Sequence, residues 1–306
     1  MLKTYKLSDG RLVESDVPSA VVLVYAHPNE QEKTHLIKQE LVAAHALSSS
    51  LDPDELGRVD FEANHLSAII KNPKRYQAKD HFLLKVSSIG LFLFADKLII
   101  VHTKEDGFFE ESAFQRVGSV QDVFLKVIAN TIFHFHEHLR VIQKISDELD
   151  EAIQQAVSNK DLFNMFRLEK SLVYYVNAIS SNNKVIDKLK LNASKIGFSQ
   201  EARESLEEIF IENTQCHEQA NTYTDVLSNL MDAFASIINN NLNVRIKTFT
   251  ILSLCIMVPT FIVSLFSMNV ALPLSQTGTL MPFWVIAALA FASVVMIFLF
   301  WHYRKW

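Results

Sequence analysis

The strongest pattern in the chain is a pair of apolar runs near its C-terminal end. No Asp, Glu, Lys or Arg occurs between residues 248 and 301, and the runs 249–266 and 283–301 are separated by a short segment with two prolines and a glycine. A helix that rises about 1.5 Å per residue needs roughly 20 residues to cross a hydrocarbon core about 30 Å thick. The pattern therefore predicts two transmembrane helices, about 248–267 and 282–302, joined by a loop over 268–281.

Basic residues flank both predicted spans on the same side. Arg245 and Lys247 precede the first span, Arg304 and Lys305 follow the second, and the loop carries no charge. Because positive residues collect on the cytoplasmic side, we expect both termini in the cytoplasm and the loop outside. The sequence thus predicts a multi-pass protein of the cytoplasmic (inner) membrane, with membrane lipid as a partner.

A second periodic pattern precedes the membrane. No Gly or Pro interrupts residues 199–258, which predicts one helix on the order of 100 Å long including the span. Apolar residues recur along it at coiled-coil spacing, which predicts packing against other helices. This seam consists of Leu206, Ile209, Cys216, Ala220, Tyr223, Leu227, Leu230, Phe234 and Ile237, with Asn213 and Asn241 as polar interruptions.

A different edge of the same helix is acidic. Glu218, Asp225 and Asp232 recur every seven residues and are followed by Asn239. Like charges on neighbouring parallel helices repel one another unless cations lie between them, so this acidic stripe would suit the inner wall of a cation-collecting funnel. The alternative is an ordinary solvated face of an amphipathic helix.

The first predicted span carries a polar stripe, which is unusual for a membrane helix. Steps of three and four residues back from Ser267 stay on one helix face. Small hydroxyl and amide groups suit either contacts between membrane helices or the lining of a pore, and the stripe alone does not separate these two uses. The polar stripe consists of Asn243, Ile246, Phe249, Ser253, Met257, Thr260 and Ser264.

Residues 1–110 alternate strand-like and helix-like segments, which predicts a cytoplasmic α/β domain. One helix is predicted over 30–45, with Asn29 as its N-cap. The Asp-Pro-Asp-Glu run at 52–55 favours a turn and a helix start over a metal site. Strands are predicted over 20–25, 66–70, 81–86, 89–94 and 98–102.

Residues 111–198 are predicted to form two long helices, split near residues 158–160, that pack on a stalk helix over 199–247. The first contains His134 and His138, which lie four residues apart on one helix face, the spacing of two ligands of one zinc ion. No Glu directly follows the first His and no third ligand is apparent nearby, so we prefer a solvated helix face.

Composition narrows the functional classes. The chain has 306 residues, of which 49% are hydrophobic, and a formal net charge of −5, so it is too long for one small domain and too apolar for a disordered one. Its two cysteines, Cys216 and Cys255, allow no disulfide framework, which fits a reducing cytoplasm. No catalytic dyad or nucleotide loop is apparent, so we expect neither an enzyme nor a nucleic-acid partner.

The end of the first span resembles the CorA family of magnesium channels. In that family the first transmembrane helix ends in Gly-Met-Asn after a Pro/Thr segment, and here Pro259 and Thr260 are followed by Ser267-Met268-Asn269. The loop, the aromatic start of the second span and the basic tail continue the resemblance. The soluble segments also match in order, so the resemblance covers nearly the whole chain.

The resemblance implies a fold class: an α+β membrane protein with an N-terminal cytoplasmic α/β domain, a long helical stalk and a transmembrane hairpin over 248–306, assembled as a funnel-shaped homo-pentamer. Five copies of Asn269 would ring the external selectivity mouth formed by Ser267, Met268 and Asn269. A serine at the family's glycine position would carry a steric cost at positive φ.

The function that the resemblance implies is a channel or transporter that passes Mg²⁺, and with it Co²⁺ or Ni²⁺, down the electrochemical gradient. The divalent cation would be the substrate and a possible regulator. Two alternatives stay open: a zinc or other transition-metal transporter of the related branch, and a non-conducting membrane scaffold.

Many members of the family close the channel through a regulatory Mg²⁺ site between subunits. On the stalk side, the resemblance points to Glu204, Glu207 and Glu208. The α/β domain would supply the other side of the site through residues 72–80. In this segment Asp80 is the only acid, and the basic residues 74–75 disfavour Mg²⁺ nearby. We therefore expect Mg²⁺ regulation to be weaker or differently placed.

Overall fold

The computed structural model describes residues 2–15, 20–74, 84–103, 114–155, 159–268 and 280–304. The chain divides into two compact units, Met1–Met231 and Asp232–Trp306. The helices are α1 (Glu30–Lys38), α2 (Ala44–Leu51), α3 (Val120–Gln155), α4 (Asn159–Leu191), α5 (Ala193–Ile196), α6 (Gln200–Phe266) and α7 (Met281–Arg304).

The first unit contains a seven-stranded sheet in the order β2-β1-β3-β7-β6-β5-β4. Among the described strands, only β3 and β7 pair in parallel, and the other neighbours are antiparallel. The strands are β1 (Leu2–Ser8), β2 (Arg11–Glu14), β3 (Val22–Ala26), β4 (Arg58–Phe61), β5 (Leu66–Pro73), β6 (Val86–Leu93) and β7 (Leu98–His102).

Helices α1 and α2 cover one face of this sheet. Leu36 of α1 and Leu47 of α2 are buried in one core with Phe92 of β6. The close approach of α2 depends on Gly90, because a Cβ there would lie 2.5 Å from Cβ of Ser50. The core also contains Leu23, Tyr25, Val42, Ala46, Ile99 and Val101.

The N-cap prediction is confirmed, whereas the single helix over 30–45 is wrong. The side chain of Asn29 accepts a hydrogen bond from the Glu32 N–H, and the Glu32 carboxylate accepts one from the Asn29 N–H, both at 2.8 Å. The helix then stops at Lys38, and Leu41 has a φ of +57°. The apolar period continues across the break because α1 and α2 share one core, so the pattern did not reveal the interruption.

The predicted strands near 20–25, 66–70, 89–94 and 98–102 are confirmed as β3, β5, β6 and β7. Half of the predicted strand over 81–86 lies outside the described residues, and of the other half only Val86 is in a strand, as the first residue of β6. Strands β1 and β2 were not predicted, because their short polar and apolar alternation is a weak signal.

Helix α4 lies along the part of the sheet edge that β4 does not cover. Pairing between the antiparallel strands β4 and β5 runs only as far as Arg58, opposite Ile69. The β5 backbone at Lys71 therefore lacks a strand partner on that side. Asn182 of α4 supplies the missing hydrogen bonds, because its Oδ1 accepts from the Lys71 N–H at 2.7 Å and its Nδ2 donates to the Lys71 carbonyl at 2.8 Å. Ser181 Oγ accepts from the Gly57 N–H at 2.6 Å.

Most of the apolar seam of α6 is buried, in agreement with the predicted packing against other helices. Its polar interruption Asn213 is also buried and donates from Nδ2 to the Ile179 carbonyl of α4 at 3.1 Å. Asn241, the other interruption, is exposed. Residues Leu206, Ile209, Cys216, Ala220, Leu227 and Phe234 are buried, and Tyr223, Leu230 and Ile237 are half-buried.

Candidate functional site

Two helices in the described part of the chain, α6 and α7, are long and apolar enough to cross a membrane. Every member of the polar stripe on α6 is exposed in the single chain. The three large apolar members have exposed fractions of 60% for Ile246, 68% for Phe249 and 63% for Met257. The stripe is therefore a surface that this chain does not cover by itself.

The opposite face of α6 packs toward α7. Ile251, Cys255, Val258, Ile262 and Phe266 are half-buried and recur at helical spacing. With 3.6 residues per turn, these positions lie about 180° around the helix from the polar stripe. A cavity of about 190 Å³ near the basic end is lined by both helices, including Leu254 and Trp301. The half-buried face of α6 thus lies toward α7, whereas the stripe residues remain exposed, and Ile246 of the stripe also lines this cavity.

The packing face of α7 was not predicted from the sequence. Half-buried positions recur at helical spacing along it, and two of them, Ala290 and Ser293, are small. Small residues allow membrane helices to approach closely, but Ala287, Ala288 and Ala292 are exposed, so small side chains alone do not identify this face. The half-buried residues of α7 are Pro282, Ile286, Ala290, Ser293, Val294 and Ile297.

One hydroxyl group of the polar stripe donates within its own helix. Thr260 Oγ1 donates to the Ile256 carbonyl at 2.6 Å, next to Pro259, which has no N–H to continue the helical ladder. A hydroxyl has one donor and two acceptor lone pairs, so a hydroxyl that donates to its own helix presents only acceptors outward. The first-shell waters of a cation point their hydrogens away from the ion and can donate to such acceptors.

The helix end carries the predicted selectivity mouth. Helix α6 stops at Phe266, and Ser267 continues with its N–H donating to the Val263 carbonyl at 3.1 Å and its Oγ donating to the Ser264 carbonyl at 2.8 Å. Among the described residues, those with positive φ do not include Ser267, so the serine carries no left-handed strain there. Met268 is 58% exposed, and Asn269 lies outside the described residues.

The acidic stripe lies outside the buried seam. Glu218, Asp225 and Asp232 are exposed, and none of them forms an ion pair with a described residue. Each carboxylate is therefore open to a cation or to solvent. This placement fits both the funnel wall and the solvated helix face.

The predicted regulatory carboxylates have different surroundings. The Glu207 carboxylate forms an ion pair with Lys190 Nζ at 2.7 Å, and Glu204 accepts a hydrogen bond from Gln200 Nε2 at 2.8 Å. Glu208 is exposed. Asp80 lies outside the described residues, so the two sides of the predicted site are not brought together in the described part of the chain.

The two histidines of the low-priority metal site have separate partners. His134 Nδ1 lies 3.3 Å from Glu137 Oε2, whereas His138 Nδ1 lies 2.6 Å from the hydroxyl of Tyr175. Burial raises the pKa of Tyr175 far above its ordinary value, so the phenol stays protonated beside His138. No group of three or more His, Cys, Asp or Glu side chains in the described ranges is arranged to hold a metal ion.

Comparison with known proteins decides the family. The sequence model of the CorA-like Mg²⁺ transporter protein family matches residues 22–304, which is nearly the whole chain. The chain belongs to this family. This result confirms the predicted family, together with the fold class of an N-terminal α/β part, a long helix and two C-terminal apolar helices.

Individual members of the CorA family agree with this result. The cobalt/magnesium transport protein CorA of Methanocaldococcus jannaschii is 25% identical over 285 residues, which cover 89% of this chain and 86% of that protein. The complete structure of that organism's CorA magnesium transporter matches with a TM-score of 0.81 at 19% identity and covers 99% of this chain and 97% of its own.

The structure of the full-length CmaX protein has the same fold. It matches with a TM-score of 0.72 at 13% identity and covers 100% of this chain and 97% of its own. CorA-family membership supports a divalent cation channel or transporter, and together with the two apolar helices it places the chain in a membrane.

Proposed function

We propose that this CorA-family chain assembles as a homo-pentamer in the cytoplasmic membrane and conducts Mg²⁺ through a central pore lined by α6. The observation that carries the proposal is the uncovered polar stripe of α6, opposite the face that packs toward α7. Two spans of one chain cannot enclose a pore, so several copies are needed. Around a common axis, the stripes would face one another across water.

The lining suits a cation that keeps its water. Mg²⁺ dehydrates reluctantly, and hydroxyl, amide and backbone oxygens can hold its first-shell waters without removing them. Ser253, Thr260 and Ser264 would supply such acceptors, and Asn269 would hold the hydrated ion at the external mouth. Ile246, Phe249 and Met257 would form apolar constrictions that close the pore by dewetting.

The driving force would be the ion gradient and the membrane potential. A membrane potential contributes about 2.3 kcal/mol per elementary charge per 100 mV, and therefore twice as much for a divalent ion. Both termini would lie in the cytoplasm. There the acidic stripe would raise the local concentration of cations, and cytoplasmic Mg²⁺ would be a possible regulator of the channel. The chain would then comprise an α/β domain (1–110), two helices (111–198), a stalk (199–247) and the hairpin (248–306).

The decisive experiment is ion uptake into proteoliposomes with Asn269→Ala. We expect Mg²⁺ uptake to disappear, because the hydrated ion loses its amide ligands at the mouth. Asn241→Ala is the matched control, since Asn241 is exposed on α6 about 160° around the helix from Asn243. Full Mg²⁺ uptake by the Asn269 variant would contradict the proposed mouth, and a monomeric mass in detergent would contradict the proposed pore.

The same assay separates the alternatives. Uptake of Mg²⁺, Co²⁺ and Ni²⁺ without a proton gradient supports the proposal, whereas Zn²⁺ uptake coupled to a proton gradient would support the transition-metal transporter. If the wild type conducts no ion and Ser267→Gly gains flux, the chain is a scaffold whose mouth the serine has closed.

A further inference from the structure

A cavity of about 730 Å³ lies in the first unit, between α4 and the adjacent ends of β5 and β6. Its volume falls within the roughly 300–1,000 Å³ of small-molecule sites in proteins. Five lysines from three parts of the fold line it: Lys71, Lys74, Lys85, Lys170 and Lys184. None of the described lining residues belongs to the proposed ion pathway.

The charge of this lysine cavity is unbalanced. Asp54 is the one carboxylate among its described lining residues. No described carboxylate lies within ion-pair distance of Lys74, Lys85, Lys170 or Lys184. Several ammonium groups around one concave surface repel one another, and an anion between them would remove that cost. The imbalance is notable in a chain whose formal net charge is −5.

Lys71 fixes one ammonium group in the wall of the cavity. The residue is only 5% exposed, and its Nζ donates to the Pro53 carbonyl at 2.7 Å and to Ser88 Oγ at 2.9 Å. A lysine ammonium has three donors, and two of them have a partner among the described residues. Burial lowers the pKa of Lys71, and the nearby carboxylates of Asp52, Asp54 and Glu55 oppose that shift. An added anion would likewise favour the charged form of the lysine.

The remaining walls offer apolar and hydrogen-bonding groups. Tyr174 and Leu56 line the cavity with exposed fractions of 49% and 65%, so their side chains are available to an apolar or aromatic part of a ligand. The amide of Asn177 also lies in the lining. The wall is held in place where the Gly57 N–H donates to Ser181 Oγ, which ties the segment before β4 to α4.

We propose that the lysine cavity binds a phosphorylated metabolite of nucleotide size, with its phosphates against the lysines and its base against Tyr174. Phosphate oxygens accept charge-assisted hydrogen bonds from several lysines at once, and an aromatic ring stacks on a base. The ligand class follows from the combination of five cationic donors with an exposed aromatic side chain in one cavity.

The test is calorimetric titration of the purified full-length chain in detergent, free of divalent cations and at physiological ionic strength. The probes are ATP, ADP, pyrophosphate and citrate. We expect ATP and ADP to bind more tightly than citrate. Lys170→Gln with Lys184→Gln should weaken ATP binding by roughly tenfold, because two charge-assisted contacts are lost. The control, Lys38→Gln with Lys144→Gln, removes the same charge from exposed positions outside the cavity.

A second variant separates the nucleotide from free phosphate. Tyr174→Leu should weaken ATP binding while it leaves pyrophosphate binding unchanged, because only the base contacts the ring. Pyrophosphate that binds as tightly as ATP would support a phosphate site without base recognition. No binding of any phosphate compound, equal affinity for citrate, or equal weakening by the control variant would overturn the proposal. Equal thermal unfolding midpoints of all variants would confirm that each is folded.

Discussion

The two halves of helix α6 differ in how much of their surface the rest of the chain buries. In the first half, the apolar seam is buried within the chain, and its polar residue Asn213 has a partner on α4. In the second half, the polar stripe is exposed and the half-buried residues lie on the opposite face. A single chain therefore buries the apolar seam of the first half of the helix but leaves the polar stripe of the second half exposed.

The contrast indicates which half of α6 stabilises the single chain. A buried apolar seam stabilises the fold of each chain separately, at about 25 cal/mol per Å² of buried apolar surface. The polar stripe is exposed, so substitutions there should change the stability of the single chain less. If the proposed pore is right, we expect stability effects from the first half and transport effects from the second.

Two phenylalanines on α6 give the largest contrast. Phe234 is 1% exposed and Phe249 is 68% exposed. Phe234→Ala should lower the free energy of unfolding by about 3–5 kcal/mol, because it leaves a cavity in the seam. Phe249→Ala should leave the unfolding midpoint close to the wild type and instead raise Mg²⁺ leak through the widened constriction. Circular dichroism melts and proteoliposome flux measure the two effects, and a large loss of stability in both variants would contradict the comparison.

Two threonines sharpen the comparison within the second half. Thr260 and Thr248 both donate their hydroxyl to a carbonyl one turn back, but Thr260 lies on the polar stripe and Thr248 lies on the other side of the helix. Thr260→Val should lower Mg²⁺ flux several-fold, because it removes an acceptor for the waters of the ion. Thr248→Val should not change the flux. Equal flux in both variants would place the pore elsewhere.

The acidic stripe should give the smallest effect. Neutralising Glu218, Asp225 and Asp232 to their amides should lower the rate of cation passage a few-fold at low salt and less at high salt, because salt screens exposed charges. The matched variant neutralises the exposed acids Asp147, Glu148 and Asp150 of α3. If both triple variants change the flux equally, the stripe is only a solvated face.

The seven-residue apolar repeat and the two long apolar runs predicted the corresponding helices well. The seam of α6 and the two apolar helices follow from spacing alone, because coiled-coil packing and the thickness of a bilayer impose strict periods. The break at Leu41 did not follow, since a positive φ at a non-glycine residue leaves no composition signal. The lysine cavity was also missed, because its five lysines come from separate parts of the sequence and only the fold brings them together.

The amide of Asn182 on the backbone of Lys71 has a consequence for assembly. Strand β4 has four residues whereas β5 has eight, so half of β5 would otherwise present a bare edge of N–H and C=O groups. Bare edges template strand addition between molecules and lead to aggregation. Because the Asn182 side chain already pairs with the Lys71 backbone, that part of the edge is closed to a strand of another molecule.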